Sequence, residues 1–168
     1  MRVDAIDRVV MNARLHYLGS AARSGEPVQK LAVLTCIDAR IDVNALLGLR
    51  PGDAHVIRNL GGRATDDARR ALAVSQAAMG TQEVMVLHHT DCAMGRFKQS
   101  ELAERIAAAS GYRFDDKLGC FDDPIAAIVE DVDRLRVDIH LARRDKIRGF
   151  MYDLAASTVT EIPIPVST

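Results

Sequence analysis

Leu31-Ala32-Val33-Leu34-Thr35-Cys36-Ile37-Asp38-Ala39-Arg40 is the stretch on which the reading of this chain turns. An apolar, β-type run delivers a cysteine, then a carboxylate and a guanidinium at two-residue intervals. The arrangement has a partner in Val84-Met85-Val86-Leu87-His88-His89-Thr90-Asp91-Cys92, where a second apolar run delivers a histidine and a cysteine. Uninterrupted apolar runs of this length read as buried strands. Two strand ends therefore offer two thiolates and one imidazole. That is a three-ligand zinc set, which leaves a fourth tetrahedral position for water or substrate. Cys36, His89 and Cys92 are the candidate ligands for one Zn2+ per chain, and Asp38 and Arg40 are ionisable groups beside it.

Outward from these runs, strand-like and helix-like segments alternate. Val9, Val10, Ala13 and Tyr17 share a helical face, which Gly19-Ser20 and Gly25-Glu26-Pro27 break. Residues 42–48 read as a short helix ended by Gly48. Pro51-Gly52-Asp53 turns the chain into a strand over 54–58. Thr65-Asp66-Asp67 caps the next helix and matches its dipole. Its apolar positions are Ala68, Ala71, Leu72, Ser75 and Met79, with Gly80 as the stop. Residues 83–88 form the third strand, and a short helix follows over 101–109. Asp122-Asp123-Pro124 opens a helix whose stripe is Ile125, Ile128, Val129, Val132, Leu135 and Ile139. Strands over 147–154 and 158–162 close the chain. Strands separated by helices predict an α/β fold with a mainly parallel sheet. In such sheets ligands bind beyond the carboxyl ends of the strands, where Cys36 and His89 fall.

At 168 residues the chain reads as a single domain, a helical arm over 1–30 followed by a zinc-binding core over 31–168. Apolar residues at 48% and charged residues at 27% describe an ordinary globular protein. A net charge of -1 gives no electrostatic footprint for nucleic acid or an anionic membrane. No apolar run is long enough for a membrane span, and the start lacks the apolar core of a signal peptide. Three cysteines, two of them proposed ligands, point to reduced thiols in a cytoplasm.

C-x-D-x-R followed by H-x-x-C resembles the β-class carbonic anhydrases. So do His55-Val56-Ile57-Arg58-Asn59-Leu60-Gly61-Gly62 between them and Ile147-Arg148-Gly149-Phe150-Met151-Tyr152-Asp153 near the end. The resemblance spans roughly residues 30 to 155. It implies a parallel sheet with an added C-terminal antiparallel strand, and subunits that clasp through N-terminal helices into a homodimer or homotetramer. It also implies zinc-dependent reversible hydration of carbon dioxide to bicarbonate by zinc-bound hydroxide. In that chemistry Asp38 accepts the hydroxide's proton in a hydrogen bond, and Arg40 holds Asp38 ionised and off the metal. The resemblance further implies a closed state of some members in which the carboxylate fills the fourth position. Many relatives carry glycine after the second ligand cysteine, where this chain has Ala93, and the larger forms carry a glutamine partner for bicarbonate that is absent here. Gly61, Gly62 and Ala93 are the candidate substrate-binding positions.

Other readings compete. The short chain looks closer to the small subclass that includes carbonyl sulfide and carbon disulfide hydrolases. Those enzymes share every motif residue and differ in pocket and access. A non-catalytic zinc-binding or thiol regulatory domain needs neither Asp38 nor Arg40. A closed structural zinc site needs a fourth Cys or His. Cys120 and His88 are the nearby candidates, and strand alternation points His88 away from His89. Gly61-Gly62 lacks the lysine and spacing of a phosphate loop, so these glycines read as a close backbone approach to the pocket. Arg143-Arg144-Asp145-Lys146 reads as a solvated helix end.

Overall fold

The computed structural model describes residues 5–15 and 25–165. Its frame is a five-stranded sheet in the order β2-β1-β3-β4-β5. The strands are β1 (Leu31–Cys36), β2 (Ala54–Asn59), β3 (Glu83–His89), β4 (Ile147–Asp153) and β5 (Thr158–Ile162). The first four run parallel, and β5 returns antiparallel to β4. This is the α/β fold expected, including its C-terminal antiparallel strand. β1 sends the chain one way, to β2, while β3 sends it the other way, to β4. The strand order therefore reverses between β1 and β3, and a crevice opens at their carboxyl ends.

Among the described residues six α-helices accompany the sheet: α1 (Ala5–Leu15), α2 (Val43–Leu47), α3 (Asp66–Ala78), α4 (Ala93–Arg96), α5 (Gln99–Ser110) and α6 (Pro124–Arg136). Local chemistry starts several of them. Asp42 accepts the Ala45 N–H, Thr65 accepts the Ala68 N–H, and Asp123 accepts those of Ile125 and Ala126. Proline at the first position of α6 forgoes a donor that had no partner there.

The pleat of β1 and β3 divides the core. Ala32, Leu34, Val84 and Val86 pack on one face against Leu72 of α3 and Ile128, Val132 and Leu135 of α6. Val33 and Leu87 pack on the other against Val43 of α2 and Met94 of α4, with Cys36 and Cys92 in the same cluster. Leu34, Leu72, Leu87, Ile128, Leu135 and Ile147 are fully buried. Each such side chain contributes about 1.5–3 kcal/mol relative to exposure.

The structure revises several expected details. β3 runs one residue further, so His89 is its last residue rather than the first beyond it. α6 ends at Arg136, which leaves Ile139 82% exposed in a turn, and Ile125 at the first turn is half out of the core. A charged residue, Asp131, occupies the buried stripe of α6 instead. On α3, Ala71 faces solvent and Gln76 is buried, because the Gln76 amide both donates to and accepts from the Arg143 backbone. Arg143-Arg144-Asp145-Lys146 is therefore a connecting loop and not a helix end. The one-turn helix α4 has no apolar period of its own that could announce it. Val9, Val10 and Ala13 of α1 face solvent in the single chain, and Tyr17 and Gly19-Ser20 lie outside the described residues.

Candidate metal centre

Cys36 closes β1 and is 4% exposed, and Cys92 follows a two-residue turn after β3 and is 6% exposed. Asp91 adopts the left-handed conformation at φ 54°, which aspartate tolerates better than most residues and which turns the chain back into α4. The Cys36 and Cys92 sulfurs are 3.9 Å apart, and a His89 ring nitrogen joins them with all donor atoms within 4.8 Å of one another.

The His89 tautomer follows from its neighbour. Nδ1 lies 2.8 Å from the Thr90 carbonyl, which only accepts, so Nδ1 carries the proton. Nε2 is left with a lone pair, buried and without a hydrogen-bond partner. A bare imidazole nitrogen in the core is costly unless something occupies its lone pair. Two sulfurs converging on it form a donor set that fits a zinc ion, with the second ring nitrogen anchored as metal-binding histidines usually are.

The sulfurs are also prepared for negative charge. Backbone N–H groups of Asp38 and Gly61 favour the ionised form of Cys36, and those of Met94 and Gly95 that of Cys92. The two sulfurs share one hydrogen bond, and that bond above all lowers Cys36 while it pushes Cys92 up. The pair thus releases one proton readily and holds the second, as two like charges this close must.

Asp38 and Arg40 sit on the loop that leaves β1. Arg40 grips Asp38 with two parallel bonds, Nε to Oδ1 at 2.9 Å and an Nη to Oδ2 at 2.7 Å, and its own backbone N–H adds a third at 3.0 Å. These bonds hold the Asp38 carboxyl far below the usual carboxylate range. Its Oδ2 lies 3.9 Å from the bare Nε2 of His89.

Two partners of this loop carry no signal that composition or spacing revealed. Arg58 of β2 donates to the carbonyls of Cys36 at 2.9 Å and Asp38 at 2.7 Å, and so fixes the loop's backbone. Asp91 accepts from Arg40 at 2.8 Å, and its carbonyl accepts a further bond at 3.0 Å. Both lie inside the quoted motifs, yet their direction across the site depends on strand pairing.

The other candidates fall as follows. Gly61 and Gly62 have φ of 74° and 71°, and a Cβ on Gly62 would lie 3.0 Å from the Thr35 carbonyl carbon and 3.1 Å from the Cys36 nitrogen. The close approach of Gly62 is therefore to the end of β1 itself, while a Cβ on Gly61 would meet Arg63, the Gly119 carbonyl and Met94. Ala93 opens α4 and packs against the apolar cluster that contains both cysteines. His88 points to the opposite face, stacks on Phe121 and approaches Asp131. Cys120 lies in a loop, half-buried, and does not join the sulfurs.

The chain is similar to known proteins along most of its length. A family model described as carbonic anhydrase matches residues 31–110. Beta-carbonic anhydrase 1 of Mycobacterium tuberculosis is 36% identical over 81% of this chain and 83% of its own length. The chain belongs to the β-carbonic anhydrase family. The crystal structure of a carbonic anhydrase from Streptococcus mutans is 33% identical and superposes with a TM-score of 0.89, covering 97% of this chain and all of that one. A carbon disulfide hydrolase of Saccharolobus solfataricus is 47% identical over 76 residues, which cover 45% of this chain and 37% of that protein. Family membership admits both activities.

Proposed function

We propose that this β-carbonic anhydrase family member is a zinc enzyme that interconverts carbon dioxide and bicarbonate. The observation that carries the reading is the buried, unpartnered Nε2 of His89, which converges with two sulfurs and faces an arginine-held carboxylate 3.9 Å away. Cys36, His89 and Cys92 would hold one zinc per chain. Bound there, zinc supplies Lewis acidity that lowers the pKa of a coordinated water from 15.7 to about 7 and provides a nucleophile at neutral pH.

The chain's own residues orient that chemistry. Asp38, ionised, can only accept, so a water beside its Oδ2 must aim a hydrogen at the carboxylate and a lone pair elsewhere. Arg40 keeps Asp38 from swinging onto the metal ligands, and Asp91 keeps Arg40 from turning to solvent. The Nδ1–H to Thr90 bond fixes which nitrogen His89 presents. The Gly61–Gly62 turn and Ala93 border the site, where a backbone N–H can hold a substrate oxygen and the Ala93 methyl narrows the space beside it. We assign the enzyme to the cytoplasm, where its thiols stay reduced, and to a homodimer or homotetramer. Among the described residues no helix is long and apolar enough to cross a membrane.

Similarity to carbon disulfide hydrolases over the motif-bearing segment favours a second reading, hydrolysis of carbonyl sulfide or carbon disulfide at the same site. One zinc-loaded preparation separates the two. Stopped-flow hydration of carbon dioxide is compared with hydrogen sulfide release from carbonyl sulfide and carbon disulfide. Faster carbon dioxide turnover supports the first reading, and sulfide release without hydration transfers the assignment to the second. Failure on all three substrates overturns both. Cys36→Ser, His89→Ala and Cys92→Ser should each lose metal and activity, whereas full zinc occupancy after replacing any two would remove the proposed ligand set.

A further inference from the structure

A second buried polar cluster reaches the Gly62 carbonyl, and the mechanism above makes no use of it. Asp131 of α6 is 2% exposed. Its Oδ1 accepts the Ala64 N–H at 2.9 Å and its Oδ2 accepts the Arg63 Nε–H at 2.7 Å. His88, 1% exposed, places Nε2 3.2 Å from that same Oδ2 and 3.2 Å from the Gly62 carbonyl. Both neighbours only accept, so Nε2 carries the proton, and Nδ1 remains buried without a partner. Asn59 closes the turn by accepting the Arg63 N–H at 2.8 Å and donating to the Arg63 carbonyl at 2.7 Å.

A carboxylate in the apolar stripe of a core helix is an expensive way to fill that volume. Its bonds all lead to one place, the turn over residues 59–65. That turn carries Gly62, on which a Cβ would lie 3.0 Å from the Thr35 carbonyl carbon and 3.1 Å from the Cys36 nitrogen, and Gly61, whose N–H favours the ionised Cys36 sulfur.

We infer that Asp131, acting with His88 and Arg63, is a positioning residue for the metal-site cysteine, because it locks the turn that packs against the Thr35–Cys36 backbone. The inference rests on the reading of Cys36 as a metal ligand. An N–H···S bond withdraws electron density from a thiolate. Loosening the turn therefore makes Cys36 a stronger donor and a less well-placed ligand at once.

The test uses the whole chain loaded with Co2+, recording the thiolate-to-cobalt charge-transfer band and the affinity by chelator competition. Asp131→Asn should move the band to lower energy and weaken cobalt binding by about 10- to 100-fold, the usual effect of losing an outer partner of a metal site. Asp138→Asn is the matched control. Asp138 is also buried and ion-paired, to Arg69 at 2.6 Å, but touches nothing in the turn. It should lower thermal stability and leave band and affinity as in the wild type. His88→Phe provides a second route, since it deletes the donor to Gly62 while keeping a ring against Phe121 and discarding the orphaned Nδ1. It should shift the band in the same direction. A folded Asp131→Asn with wild-type band and affinity overturns the inference. So does a folded His88→Phe that behaves as wild type where Asp131→Asn does not fold, or an Asp138→Asn that shifts both readouts equally. A wild-type protein with no charge-transfer band overturns the metal reading itself, and the inference with it.

Discussion

Replacing Gly62 with alanine tests, in one atom, whether the turn against β1 is as tight as the structure has it. The new Cβ would sit 3.0 Å from the Thr35 carbonyl carbon and 3.1 Å from both the Thr35 Cα and the Cys36 nitrogen. All three are backbone atoms of a central strand, paired on both sides, and cannot rotate away. Two costs add. Holding alanine at φ 71° costs about 1–2 kcal/mol, and forcing an extra carbon into packed surroundings costs about 1–3 kcal/mol more. Gly48 separates them, because it also has positive φ, 65°, but a Cβ added there would meet nothing within 4 Å. Gly48→Ala should therefore show the conformational cost alone. The two variants should differ by about 1–3 kcal/mol, or roughly 2–12 °C in melting temperature for a chain of this size. Urea or thermal unfolding of zinc-free protein, at one fixed protein concentration, measures this without metal contributing and with the contribution of assembly held equal. Equal destabilisation of Gly48→Ala and Gly62→Ala would refute the reasoning, because the close approach would then carry no cost. If the steric cost appears, zinc affinity should fall in Gly62→Ala and stay unchanged in Gly48→Ala, since only the first displaces the Cys36 backbone.

Further outcomes follow from the same geometry. Asp38→Asn and Arg40→Ala should both keep zinc and lose at least about tenfold in turnover, and X-ray absorption should find a carboxylate as the fourth ligand in Arg40→Ala alone. Wild-type turnover in both would remove the pair from the mechanism. The Arg69 guanidinium holds Asp138 well below the usual carboxylate range. A depressed folded-state pKa gives stability that is present above the unfolded value of about 3.9 and lost as pH falls through the folded one. Acid unfolding of Asp138→Asn should therefore fall less steeply below about pH 4 than that of wild type, and superimposable profiles would contradict the assignment. Light scattering of zinc-loaded protein should give a dimer or a multiple of it, and a stable, fully active monomer at assay concentration would exclude the proposed assembly.

The sequence by itself determined the strands, the longer helices and the chemical inventory. Apolar runs over 31–36 and 83–88, the cap at Thr65, the stop at Gly48 and a proline at the start of α6 act within a few residues, and the structure contains each of them. Cysteine, aspartate, arginine and histidine at fixed offsets from strand ends were legible for the same reason. What faces what was not. Strand periodicity says that His88 and His89 diverge, but only the order β2-β1-β3-β4-β5 sets β1 beside β3 and brings Cys36 to His89. Arg40 meets Asp91 across 51 residues, and Arg63 meets Asp131 across 68. Asp131 itself breaks the apolar stripe of α6, and its burial makes sense only once Arg63, Ala64 and His88 are seen to receive it. Periodicity and capping are set by bonds between chain neighbours. The pairing of charges between strand ends and a distant helix is set by which strands lie side by side, and that is a property of the packed sheet.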